Sequence, residues 1–142
     1  MFHKVKFVAP LPDFKLSVKF YEGVTKIYDV KPWFDKQKVF YQLFDLSLFY
    51  SVKVAGAGYG IIWNEDVDLH CNELWNNGEV VETPFDNLIA LSDATKLWGL
   101  NESTLRKAIS YGKLVNGIDV MKFGKQWIVT IDAMKREYGE PK

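Results

Sequence analysis

The chain has 142 residues, a formal net charge of zero and a single cysteine, Cys71. Hydrophobic residues make up 48% and aromatic residues 15% of the sequence, which excludes a disordered chain and allows a packed core in one ordinary domain or two very small ones. A lone cysteine excludes an internal disulfide framework. Together with the lack of a signal peptide or a membrane-length apolar run, it predicts a cytoplasmic protein with no membrane association.

The two halves of the sequence differ only slightly in charge. Residues 86–142 hold nine Lys/Arg and seven Asp/Glu, whereas residues 1–85 hold nine and eleven. DNA-binding domains usually carry a strongly basic surface, so this difference alone does not indicate nucleic acid. The functional prediction therefore depends on residue patterns.

The first half of the sequence is predicted to be rich in short strands. Alternating apolar and charged residues predict strands at residues 4–9, 15–21 and 25–30. Three more short strands are predicted at residues 51–55, 59–63 and 66–69. Glu22-Gly23 is predicted to form a hairpin turn. Residues 36–44 are predicted to be helical, with Val39, Phe40, Leu43 and Phe44 on one apolar face, and a second short helix is expected at residues 71–76.

Four segments of this half resemble the small domain-of-unknown-function family 2442. They are HKVKFVAPLPDFKLSVKFYEGVTKIYDVKP (3–32), LFDLSLFYSVKV (43–54), IIWNEDVDL (61–69) and LWNNG (74–78). The resemblance implies an α+β domain over residues 1–80, of a family found beside DNA-binding domains or small toxin-like proteins and without established catalytic residues. Many relatives start the last helix with Asp-Pro, whereas this chain has His70-Cys71, which leaves the cap of that helix open. A polar connector at residues 79–87 is expected to follow.

From Ile89 onward the apolar period becomes helical. Ser92 is expected to cap a helix ending at Trp98, and Gly99 allows a tight turn. Asn101 is then expected to cap a second helix over residues 102–111. Two strands at 118–123 and 126–131, joined around Gly124-Lys125, and a closing helix at 132–138 complete the pattern. The predicted fold class is α+β: a small N-terminal α+β domain of short strands plus a C-terminal winged helix-turn-helix at residues 88–142.

The C-terminal segments ALSDATKLWGLNESTLRKAISYGKLVNG and FGKQWIVTIDAMKREYG resemble excisionase-like and MerR-like helix-turn-helix domains. The resemblance implies that the second helix enters the major groove and that the hairpin is a wing beside it. Polar and cationic side chains on the helix would read base edges while the wing lysines hold phosphates. The candidate DNA-binding residues are Ser103, Thr104, Arg106, Lys107, Ser110, Lys113, Lys122 and Lys125.

The predicted function is that of a DNA-binding transcriptional regulator or antitoxin-repressor. The alternative is a protein-interaction module that neutralises a toxin-like partner without needing DNA. One copy offers few phosphate-facing cations, which predicts a homodimer or an additional DNA-binding partner.

No catalytic, cofactor or metal site is predicted, and the chain is not expected to be an enzyme. The candidate metal ligands Asp66, Asp68, His70, Cys71 and Glu73 match neither a calcium loop nor a zinc site. The glycines of residues 56–60 follow a G-x-G-x-G spacing that differs from the dinucleotide fingerprint.

Overall fold

The computed structural model describes all residues from 1 to 142, which divide into two compact units, Met1–Asp86 and Asn87–Lys142. Each unit has its own cluster of buried apolar residues. Both units combine helices and strands, so the predicted α+β class is confirmed. None of the helices has the length and hydropathy that a membrane span requires.

The first unit is built from seven strands and two short α-helices. They are β1 (Val5–Leu11), β2 (Lys15–Phe20), β3 (Thr25–Asp29), α1 (Leu46–Phe49), β4 (Lys53–Ala55), β5 (Gly60–Asn64), β6 (Val67–His70), α2 (Cys71–Asn77) and β7 (Glu79–Val81). One antiparallel sheet has the order β1-β2-β3-β7 and the other β4-β5-β6. The six strands predicted here are confirmed to within about two residues at each end.

Strand alternation accounts for the core of the first unit. Leu16, Val18 and Phe20 of β2 are fully buried, because every second side chain of a strand points to the same face. Burying one such side chain contributes about 1.5–3 kcal/mol. The alternation that predicts these strands therefore also stabilises them.

The single amphipathic helix predicted at residues 36–44 is not formed as an α-helix. The chain instead forms two 3₁₀ segments, Lys31–Asp35 and Lys38–Phe44. Residues three apart lie on one face of a 3₁₀ helix, so Phe40 and Leu43 are both buried, whereas Phe44, predicted on the same face, is exposed. The i, i+3 pair fits either helix type, so the spacing could not distinguish them.

A polar network centred on the buried Tyr28 joins β3, the first 3₁₀ segment and α2. The Tyr28 hydroxyl donates to Glu73 Oε2 at 2.6 Å and accepts from Trp33 Nε1 at 2.7 Å. Burial and the bond to Glu73 raise the pKa of Tyr28 well above its ordinary value.

The cap of α2 is supplied by His70, whose Nδ1 accepts from the backbone N–H of Asn72 at 3.1 Å.

The segment 79–87, predicted as a connector, begins with a strand. Residues Glu79–Val81 form β7, which pairs with β3. Asp86 accepts hydrogen bonds from the Thr83 backbone N–H and from the Thr25 hydroxyl. The sequence of β7, EVV, does not alternate between apolar and polar residues, which explains why the strand was not predicted.

The second unit has three strands and three helices. They are β8 (Leu88–Ala90), α3 (Leu91–Trp98), α4 (Glu102–Tyr111), β9 (Val120–Phe123), β10 (Gln126–Thr130) and α5 (Ile131–Tyr138). The antiparallel sheet has the order β8-β10-β9. Strand β8 was not predicted, and α3 begins one residue before Ser92, with Ala90 and not Ser92 at the cap position.

We predict that the two units fold separately, because neither core cluster contains a residue of the other unit. A specific protease site inserted between Asp86 and Asn87 should, once cut, release two fragments that each unfold cooperatively on heating. The smaller second fragment should melt at the lower temperature, since short chains bury a smaller fraction of their surface. Circular dichroism of the fragments and of the uncut insertion variant checks this. Loss of cooperative unfolding in either fragment would contradict it.

Candidate nucleic-acid interface

The turn between α3 and α4 has a backbone conformation that favours glycine. Gly99 has φ 63° and ψ 38°, a left-handed conformation that side chains with a Cβ disfavour. A Cβ at this position would also lie 3.3 Å from the Lys142 side chain. Close by, the Trp98 indole donates to the carbonyl of Gly139 at 2.8 Å. The predicted turn at Gly99 is therefore confirmed. The hydrogen bond from Trp98 to Gly139 connects the end of α3 to the C-terminal residues of the unit.

Helix α4 separates buried apolar residues from exposed polar ones. Leu105 and Ala108 are buried in the core of the second unit. The exposed residues include Ser103, Arg106, Lys107 and Ser110, whose i, i+3, i+4, i+7 spacing places them on one face. Thr104 is exposed beside them. The structure thus brings five of the eight candidate residues together on α4.

An acidic residue that the sequence analysis did not select lies beside this face. Glu102 is the first residue of α4, and its Oε1 lies 3.5 Å from Arg106 Nη2. Both side chains remain about half exposed, at 52% and 56%. The i, i+4 spacing of the two residues was a visible signal for this ion pair.

Lys113 follows the end of α4 and contacts a different element. Gly112 has φ 83° at the C-cap of α4, and the Leu114 backbone N–H returns to the carbonyl of Ala108. The Lys113 ammonium lies 4.5 Å from the ring centre of Tyr138 in α5. Its side chain is therefore placed by α5 and does not extend the row of exposed residues on α4.

The hairpin formed by β9 and β10 carries the last two candidates. Phe123 pairs with Gln126 across the two-residue turn Gly124-Lys125. Lys122 lies opposite Trp127, with its ammonium 5.8 Å from the indole ring. Lys122 and Lys125 are both exposed, so the end of the hairpin presents two cations.

A buried carboxylate ties the segment before the hairpin to α5. Asp119 accepts two hydrogen bonds from Arg136, at 3.1 and 2.8 Å, and one from the Val115 backbone N–H at 2.8 Å. The Arg136 guanidinium and the Val115 N–H hold the pKa of Asp119 below its usual range. The partners are 17 residues apart in sequence, so no local pattern could have revealed the ion pair.

Two short helices joined by a left-handed glycine and packed on a hairpin sheet define the second unit as a helix-turn-helix domain. A family model described as "Helix-turn-helix domain" matches residues 81–142. A second model, "Protein of unknown function (DUF2442)", matches residues 5–79, more than half of the chain. The chain belongs to this second family, and the two-part architecture predicted from sequence is confirmed. No curated protein and no solved structure is significantly similar to this chain.

We predict that Asp119→Asn destabilises the second unit by about 1–3 kcal/mol at neutral pH, because it weakens the bonds of a buried group. A carboxylate with a lowered pKa stabilises the fold above its unfolded pKa of about 3.9 and loses that contribution as the pH falls. The difference from the wild type should therefore shrink below about pH 4. Urea unfolding across this pH range measures it. Asp132→Asn, on the exposed start of α5, serves as the control; an equal effect of both variants would contradict the role of Asp119.

Proposed function

We propose that the second unit binds duplex DNA, with α4 in the major groove. The observation that carries this proposal is the exposed face of α4, where hydroxyl and cationic side chains lie opposite the buried Leu105 and Ala108. Arg106 supplies the donors that suit guanine O6 and N7. Ser103 and Ser110 supply hydroxyl groups that can hydrogen-bond to several bases. The matched helix-turn-helix family supports the same function.

In this proposal the β9–β10 hairpin acts as a wing that contacts the phosphate backbone. Lys125 lies in the turn of the hairpin and Lys122 near its end. Ammonium groups bind phosphates without reading sequence. The hairpin would therefore fix the position of the protein while α4 supplies specificity.

The proposed biological role is transcriptional regulation in the cytoplasm, with antitoxin-repressor activity as its specific form. A DNA-binding protein of this kind needs exposed hydrogen-bond donors and cations. The proposal includes no enzymatic activity and no cofactor. Neutralisation of a toxin-like protein without DNA is the competing proposal, and the DNA measurements below separate the two.

We further propose that the chain acts as a homodimer through an apolar patch on the first unit, formed by Tyr41, Phe44, Leu46 and Tyr50. These large side chains are all about half exposed. Phe44, Leu46 and Tyr50 line a cavity of about 370 Å³. Exposed apolar clusters mark interaction surfaces. Self-association would double the number of phosphate-facing cations, which are few in one copy. This favours a second copy of the chain as the partner that covers the apolar patch.

We predict that Lys125→Ala weakens binding equally on specific and random duplexes and reduces the salt slope by about one unit. Arg106→Ala should cost about 1–3 kcal/mol on the specific duplex and relax specificity at one position, because it removes a base contact. Affinity measured against salt concentration, by fluorescence anisotropy, tests both.

The control is Lys53→Ala, which removes an exposed lysine of β4 in the first unit and should leave the salt slope unchanged. If the folded wild type does not bind any duplex at low salt, the DNA proposal is wrong and recognition of a protein partner takes its place.

We predict that the wild type sediments as a dimer and that Leu46→Glu converts it to a monomer, because a buried charge without a partner disfavours the interface. Val80→Glu also adds a charge at an exposed apolar residue, but outside the apolar patch, and should remain dimeric. Sedimentation velocity distinguishes the species. A monomeric wild type, or a dimer unaffected by Leu46→Glu, would exclude the apolar patch as the surface of self-association.

A further inference from the structure

We infer that Glu102 determines base specificity in the proposed DNA complex, by accepting a hydrogen bond from cytosine N4 while the neighbouring Arg106 reads guanine. This inference rests on the proposed function of α4 and adds a preference for cytosine and guanine at neighbouring base pairs. It assigns a role in recognition to an acidic residue that would otherwise only oppose DNA binding.

The position of Glu102 supports base contact. It is the first residue of α4, and a recognition helix contacts base edges with its N-terminal residues. Its side chain is about half exposed and has Arg106 as its ion-pair partner, at 3.5 Å. Four residues at a rise of about 1.5 Å separate the two residues by about 6 Å along the axis, which is less than two base-pair rises of about 3.4 Å each. Their side chains would therefore reach neighbouring base pairs.

The chemistry of the pair is complementary to cytosine and guanine. An ionised carboxylate only accepts hydrogen bonds, and among the base edges of the major groove it suits the N4 amino group of cytosine. A guanidinium only donates, and it suits guanine O6 and N7. In the free protein the carboxylate and the guanidinium form an ion pair with each other. This exposed i, i+4 pair contributes little to stability. Exchange of that pair for base contacts therefore costs the fold little.

The carboxylate also penalises wrong sequences. Where no amino group faces it, Glu102 would lie in the negative potential of the groove without a hydrogen-bond donor, and such unpaired charges are a common source of specificity. Removal of the charge should thus strengthen binding to random DNA while it weakens discrimination. A residue that only stabilises α4 would not produce these opposite changes.

The test compares the full-length wild type with Glu102→Ala and Glu102→Gln, and with Glu140→Gln as the matched control. Glu140 is also an exposed acid with a cationic partner, Lys135, at 3.7 Å. Each protein is used to select duplexes from a randomised DNA library, and the selected duplex is then assayed with single-base changes. Circular dichroism establishes that each variant is folded.

The wild type should prefer cytosine at one position by about 5- to 150-fold. Glu102→Ala should lose that preference and bind random duplexes more tightly. Glu102→Gln should shift the preference towards adenine, because a glutamine amide pairs with adenine N6 and N7. Glu140→Gln should keep the wild-type preference.

Two results would overturn the inference. If the wild type selects a sequence and both Glu102 variants retain its base preferences, Glu102 has no role in specificity, whereas the proposed DNA binding stands. If the wild type selects no sequence and does not bind the pooled library at low salt, both the inference and the proposed function are wrong.

Discussion

Helices α3 and α4 have only eight and ten residues, and helices of this length are marginal in water on their own. They persist because Leu91, Ala94 and Trp98 of α3 and Leu105 and Ala108 of α4 enter one core. The exposed face of α4 is a by-product of that burial, since the residues between the buried positions must point outward. Any function of the exposed face therefore depends on an intact core beneath it.

The hairpin is positioned by a different kind of interaction. Strand β10 supplies Val129 to the core, but the segment that leads into β9 is fixed by the bidentate pair between Asp119 and Arg136. Because this pair engages Arg136, and Glu137 contacts the same guanidinium, α5 contributes little free positive charge. Lys107, Lys122 and Lys125 are exposed and have no carboxylate partner, so they are among the cations that remain available.

Much of this architecture could be predicted from the sequence. Alternation predicted β1, β2 and β3, and the change to a helical period with Gly99 predicted α3 and α4, because burial imposes those periods. Strands β7 and β8 were missed because their sequences, EVV and LIA, do not alternate between apolar and polar residues. On the candidate interface, the spacing identified the exposed residues of α4. It could not reveal the Asp119–Arg136 pair, which depends on how distant segments meet.

The two methionines of the second unit differ in their exposure. Met134 in α5 is fully buried, whereas Met121 in β9 is about half exposed on the hairpin, beside Phe123. Oxidants convert accessible methionine into a polar sulfoxide, and reductases can reverse the change. An oxidising environment would thus modify the face of β9 that carries Met121 and Phe123, while Met134 in the core stays protected and Lys122 points to the opposite face.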